Sequence, residues 1–136
     1  MGLGQKLFEE AGKMASFKVT KLHPLEGVTT EVSCISDIKG IGRFPSGKNL
    51  SSGTMTKYPH GIIDAAWRGI LTTTENAEQF MWWAHEKSRV LDDGKIRGLS
   101  MATGFTNSQK LSCMNKLVIV VELAGSTLRR ILCVCI

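Results

Sequence analysis

The chain has 136 residues, 43% apolar and 21% charged, with 17 Lys and Arg against 12 Asp and Glu for a formal charge of +5. That is an ordinary globular balance, and it excludes a disordered, collagenous or coiled-coil chain. The length suits one domain, 1–136, burying roughly two thirds of its unfolded surface without metal or disulfide staples.

At the N-terminus, Leu3, Leu7, Phe8, Ala11 and Met14 recur at near-helical spacing with Lys6, Glu9, Glu10 and Lys13 between them. The spacing predicts an amphipathic α-helix over 1–14 whose apolar stripe packs on whatever sheet follows. The same interleaved charges rule out a signal peptide, so the expected compartment is cytoplasmic. From Ser16 onward the punctuation changes. Turn residues recur about every ten positions, at His23-Pro24, Phe44-Pro45, Tyr58-Pro59, Asp92-Asp93-Gly94, Asn107-Ser108 and Ala124-Gly125.

Such punctuation predicts antiparallel strands. Val28, Thr30, Val32, Cys34 and Ile38 share one parity and Glu31, Ser33 and Asp37 the other, a pattern broken only at Ile35 and Ser36. Ile63, Ala65, Trp67, Gly69 and Leu71 form a second inward row. A third runs from Leu111 through Cys113, Asn115, Leu117 and Ile119 to Val121. A sheet of about seven to eight such strands hides its edges most simply by closing, so the expected fold is all-β: an antiparallel barrel over 16–136 with one N-terminal helix. Glu75–Leu91 fits two descriptions. Thr74 as N-cap and the spacing of Ala77, Phe80, Met81 and Ala84 suit a helix, whereas Phe80–Ala84 as a strand is apolar on both faces.

Short motifs add little chemistry. Gly42–Asn49 misses the phosphate-loop pattern G-x-x-x-x-G-K-[ST] at Asn49 and runs into a strand rather than a helix, so it reads as a strand connection. Cys133-Val134-Cys135-Ile136 has prenylation-box spacing but reads more simply as an apolar terminal strand. The four cysteines read as buried thiols. Cys133 and Cys135 with His85 or His60 lack the paired spacing of a zinc site, so no metal is expected. Basic residues are scattered, with no run longer than Arg129-Arg130, which argues against nucleic acid despite Trp82, Trp83 and Tyr58 as stacking surfaces. The longest apolar run, Leu117–Val121, falls far short of the ~20 residues of a membrane helix.

The stretch Gly53–Glu122 carries Gly53-Thr54-Met55-Thr56, Trp67-Arg68-Gly69, Trp82-Trp83, Gly94-Lys95-Ile96-Arg97-Gly98, Thr103 and Lys110-Leu111 through Asn115 to Val118, Val120 and Glu122. In order and spacing it resembles small uncharacterised archaeal and bacterial proteins of the calycin-like type, with allene-oxide-cyclase-like or lipocalin-like β-barrels. The resemblance implies a calycin-like barrel and tilts Phe80–His85 toward strand.

Four residues are the candidates for lining a ligand site. Asn115 points where hydrophobes point and must find a partner, either a backbone group or a ligand. Trp67 stands on an inward row, and Trp83 and His85 share a parity on the next segment, His85 at an expected barrel mouth. The expected function is binding of a small, mostly apolar molecule, with no cofactor and no catalytic set legible. The alternatives are a cyclase- or isomerase-type enzyme on the same barrel, and a structural protein forming a homo-oligomer. An ionisable side chain beside an amide in the cavity would favour the enzyme.

Overall fold

The computed structural model describes residues 5–125 and the backbone of residues 129–135. The chain is all-β. Its eight strands are β1 (Gln5–His23), β2 (Gly27–Gly40), β3 (Gly47–Lys57), β4 (Ile62–Thr73), β5 (Gln79–Val90), β6 (Ile96–Phe105), β7 (Ile119–Gly125) and β8 (Arg129–Cys135). Each pairs antiparallel with the next, and β8 pairs with both β7 and β1, closing a barrel. Closure gives every strand two neighbours over part of its length, with Gly12–His23 of β1 paired to β2 alone, which removes part of the free edge.

Two-residue alternation drives the strands. In β2, Val32, Cys34, Ser36 and Ile38 are buried while Glu31, Ile35, Asp37 and Lys39 are exposed. The same alternation in β4 buries Ile63, Ala65 and Leu71. Gly27 opens β2 at φ +96°, where an added Cβ would lie 2.3 Å from the Lys57 carbonyl oxygen. Only glycine allows that approach.

The N-terminal helix expected over 1–14 is not formed: residues 5–23 are strand β1. The apolar spacing fits both periods, and the backbone groups are taken by neighbours on two sides, Phe8–His23 by β2 and Gln5–Ala11 by β8. Tertiary pairing overrides local propensity. The ambiguous stretch 75–91 resolves to a turn and β5. Asn76 and Ala77 adopt positive φ, +63° and +48°. The Thr73 hydroxyl accepts the Glu78 N–H at 2.9 Å, so the segment that a helix would use as its first turn reverses the chain instead.

The row from Leu111 to Val121 is not one strand either. After β6 the chain makes a 3-10 turn at Ser112–Lys116, and only Ile119 and Val121 continue as β7. Leu111 and Met114 are buried with Phe8, Ile38, Leu71 and Phe80, so this turn caps one end of the barrel. Phe44 stacks on Phe8 at 4.6 Å between ring centroids and extends the cap. Leu71, at 1% exposure, is its most enclosed member, and such burial stabilises by about 1.5–3 kcal/mol. Of the cysteines expected to be buried, Cys34 is and Cys113 is exposed. The side chains of Cys133 and Cys135, and Ile136 of the prenylation-like motif, lie outside the described residues. No helix among the described residues is long and apolar enough to cross a membrane.

Candidate ligand cavity

Above the capped end the barrel encloses a cavity of about 120 Å³. Its lining is mainly apolar, with Phe8, Leu71, Phe80, Trp82 and Ile119 among the walls, yet two carboxyls, Glu10 and Glu86, also line it. Burying a charge is costly unless it is paired or hydrogen-bonded, and each carboxyl has its own set of donors.

Glu10 accepts through one oxygen, Oε1, from the Ser36 hydroxyl and from Asn49 Nδ2 at 3.1 Å. Asn49, 2% exposed, in turn accepts the Trp82 indole N–H on Oδ1 at 2.8 Å. Glu86 accepts the Trp67 indole N–H on Oε1 at 3.1 Å and the Ser88 hydroxyl on Oε2 at 2.9 Å. The cross-strand register puts Asn49 opposite Leu71, and Leu71 opposite Phe80. Glu10 therefore sits toward the capped end, while Glu86, opposite Ala65 and Ser100, sits further along.

A repeated device makes room for these donors. Ser36 faces Gly12, Trp67 faces Gly53, Trp82 faces Gly69 and Ser88 faces Gly98 across adjacent strands. A methyl group on any of these glycines would lie 2.3–2.5 Å from the facing side chain. Each donor thus lies over a bare stretch of neighbouring backbone, which lets a bulky indole lean across the barrel wall and aim its N–H inward.

Burial pushes the Glu10 carboxyl above its usual range, against the opposing pull of the Ser36 and Asn49 hydrogen bonds. Burial raises Glu86 likewise, against Ser88 and Trp67. The Cys34 thiol on the same wall is pushed up to about 11, first by burial and then by the nearby Glu10 charge, with a smaller push from Glu86. That thiol stays protonated at neutral pH and is a poor nucleophile.

The four residues singled out by sequence are not brought together. Trp67 lines the cavity and holds Glu86. Asn115 lies on the 3-10 turn, where it accepts the Thr106 N–H at 2.7 Å and donates to the Thr106 carbonyl at 3.1 Å, so its partner is backbone. Trp83 is 55% exposed on the outer face. His85 is also outside, with Nε2 2.7 Å from Asp64 Oδ1. The parity of β5 was legible but its face was not: Trp82 and Glu86, alternate to Trp83 and His85, point inward. Sequence reasoning missed Glu10, Ser36, Asn49, Trp82 and Glu86 as a set. One signal was present, the polar Ser36 interrupting an apolar row.

No protein-family model matches the sequence, and no curated protein matches it. Similar folds occur among solved structures. A protein of unknown function from Clostridium acetobutylicum superposes with a TM-score of 0.77 at 14% identity, over 95% of this chain and 94% of that one. A conserved protein of unknown function from Rhodopseudomonas palustris gives 0.75 at 11% identity, over 95% and 93%. An enzyme from Penicillium herquei gives 0.69 at 12% identity, over 94% and 92%. At these identities the likeness is one of fold: this chain is similar to proteins built on a curled antiparallel β-sheet, a half-barrel.

Proposed function

We propose that the barrel binds a small, mostly apolar molecule carrying at least one polar group, inside the cell, with Glu10 and Glu86 as the polar fixtures of its interior. The observation that carries this is the pairing of an apolar cavity with two carboxyls already oriented by indole, amide and hydroxyl donors. Ligand sites are typically of this kind, concave and mostly apolar with a few convergent polar groups. For scale, an apolar cavity of about 150 Å³ takes up a benzene ring, so the space suits a molecule, or the end of one, of five or six heavy atoms. Strands running up and down around such an interior also support the calycin-like, lipocalin-like assignment.

Native mass spectrometry of protein purified from its own cells tests the proposal. The expected result is a retained small molecule that is lost on filling the cavity with Ala84→Phe. A polypeptide mass with no adduct, together with no melting shift from any five- or six-atom probe, overturns it.

A cyclase- or isomerase-type enzyme on the same barrel is the second reading. It is favoured by an ionisable carboxyl set beside an amide inside the cavity, Glu10 beside Asn49. The similar fold of the Penicillium herquei enzyme is compatible with it by analogy alone. Turnover of the retained molecule, abolished in Glu10→Gln, would distinguish it from binding.

A further inference from the structure

The hydrogen-bond polarity around Glu10 says more about the ligand than the cavity's shape does. The indole N–H of Trp82 can only donate. Asn49 must therefore present its oxygen to Trp82, which leaves its NH2 group to face Glu10 Oε1. Oε1 therefore accepts from Asn49, and Oε2 is the oxygen whose proton is free to serve another partner. Both protein partners of Glu10 use Oε1, and Oε2 has none among the described residues. No fully enclosed side-chain N or O among those residues lacks a partner, so Oε2 keeps accessible surface, and Glu10 lines the cavity. Glu86 differs, because both of its oxygens are engaged, by Trp67 and Ser88.

We infer that Glu10 meets the bound molecule as a neutral carboxylic acid donating from Oε2–H, so that the ligand class is one with a hydrogen-bond-accepting oxygen, a ketone, aldehyde or ester, rather than an amine. This rests on the cavity being a binding site and deepens that reading. The surroundings favour the neutral form: the lining is mainly apolar, and the only cationic side chain lining it among the described residues, Lys13, forms no ion pair with Glu10. A buried carboxylate with no ion-pair partner among the described residues is disfavoured against its neutral form. A neutral acid satisfies Asn49 through Oε1 and still offers one donor to an otherwise apolar space. A ligand with an acceptor oxygen fills that role, whereas a hydrocarbon leaves the hydroxyl unpaired.

Three probes of matched shape, cyclopentanone, cyclopentane and cyclopentylamine, separate the possibilities when titrated by NMR into the full chain near neutral pH. Cyclopentanone is expected to bind about tenfold more tightly than either of the others, the worth of one buried hydrogen bond. In Glu10→Gln the amide can keep its oxygen toward Asn49 and present N–H to the cavity, so the preference for the ketone is expected to survive. In Glu10→Met it is expected to vanish, with thermal melting confirming that both variants fold. Tightest binding by the amine, or equal binding of ketone and hydrocarbon, overturns the inference while leaving the cavity reading intact. So does a ketone preference that persists in Glu10→Met. Failure of all three probes to bind overturns the inference and the cavity reading together.

Discussion

The two faces of the barrel wall both carry apolar side chains and differ in how their polar groups are held. Inside, apolar side chains surround two carboxyls and the groups that hold them. Outside, Ile35, Leu50, Ile70, Met81 and Phe105 are direct cross-strand neighbours on five successive strands. All five are exposed, Met81 by 57%, and at strand spacing the row is about 19 Å long. Hydrophobicity alone therefore does not mark the interior of this protein. What distinguishes the interior is polar satisfaction. The inner polar groups have fixed partners, and the space for those partners is made by facing glycines, whereas the outer row has no such constraint.

The comparison can be broken first at a glycine. Gly69→Ala places a methyl group 2.5 Å from the Trp82 ring, forcing the indole off Asn49 and loosening Glu10. The expected loss of stability is about 1–3 kcal/mol, the usual cost of overpacking, readable by urea denaturation. A cost near zero would mean that the glycine does not position the indole.

The next test uses pH. Both interior carboxyls have folded-state affinities for protons raised above the ordinary value of 4.5. The folded state then binds more protons than the unfolded one, so their contribution is fully present below about 4.5 and is lost as pH rises through the raised values. The melting temperature of the natural chain is expected to fall across that rise relative to the Glu10→Gln, Glu86→Gln double variant. A difference between the two that does not change with pH would show that the carboxyls are not held in the environment described.

The smallest effect is expected outside. Met81→Ser, within the apolar row, should change folding stability by no more than about 0.5 kcal/mol, as surface substitutions usually do. A loss comparable to that of Gly69→Ala would place Met81 in a packed environment and erase the contrast between the faces.

Much of the fold was legible before any coordinates. The turn punctuation after Ser16 marks the connections at Pro24, Pro45 and Pro59, which fall between strands β1 and β4. Alternation in 28–38 and 63–71 picks out the inward rows of β2 and β4. The site was far less legible. Glu10 was hidden inside a helix-like spacing, because Leu7, Phe8, Ala11 and Met14 satisfy a period of 3.6 as readily as Phe8, Glu10 and Gly12 satisfy a period of two. On β5 the residues alternate to Trp83 and His85, Trp82 and Glu86, are the ones that face inward, and a segment apolar on both parities does not show that by itself. Asn115 shares the parity of Ile119 and Val121 but precedes β7, since residues 112–116 turn to cap the barrel.

What the sequence by itself determined was period and punctuation: antiparallel strands, their number within one, and the two parities of each. Only the tertiary structure decided which parity faces inward and which residues meet there. A strand with apolar side chains on both sides carries no local instruction about its inner face. That choice is made when its neighbours supply the glycines that admit Trp67 and Trp82, and the donors that let Glu10 and Glu86 be buried.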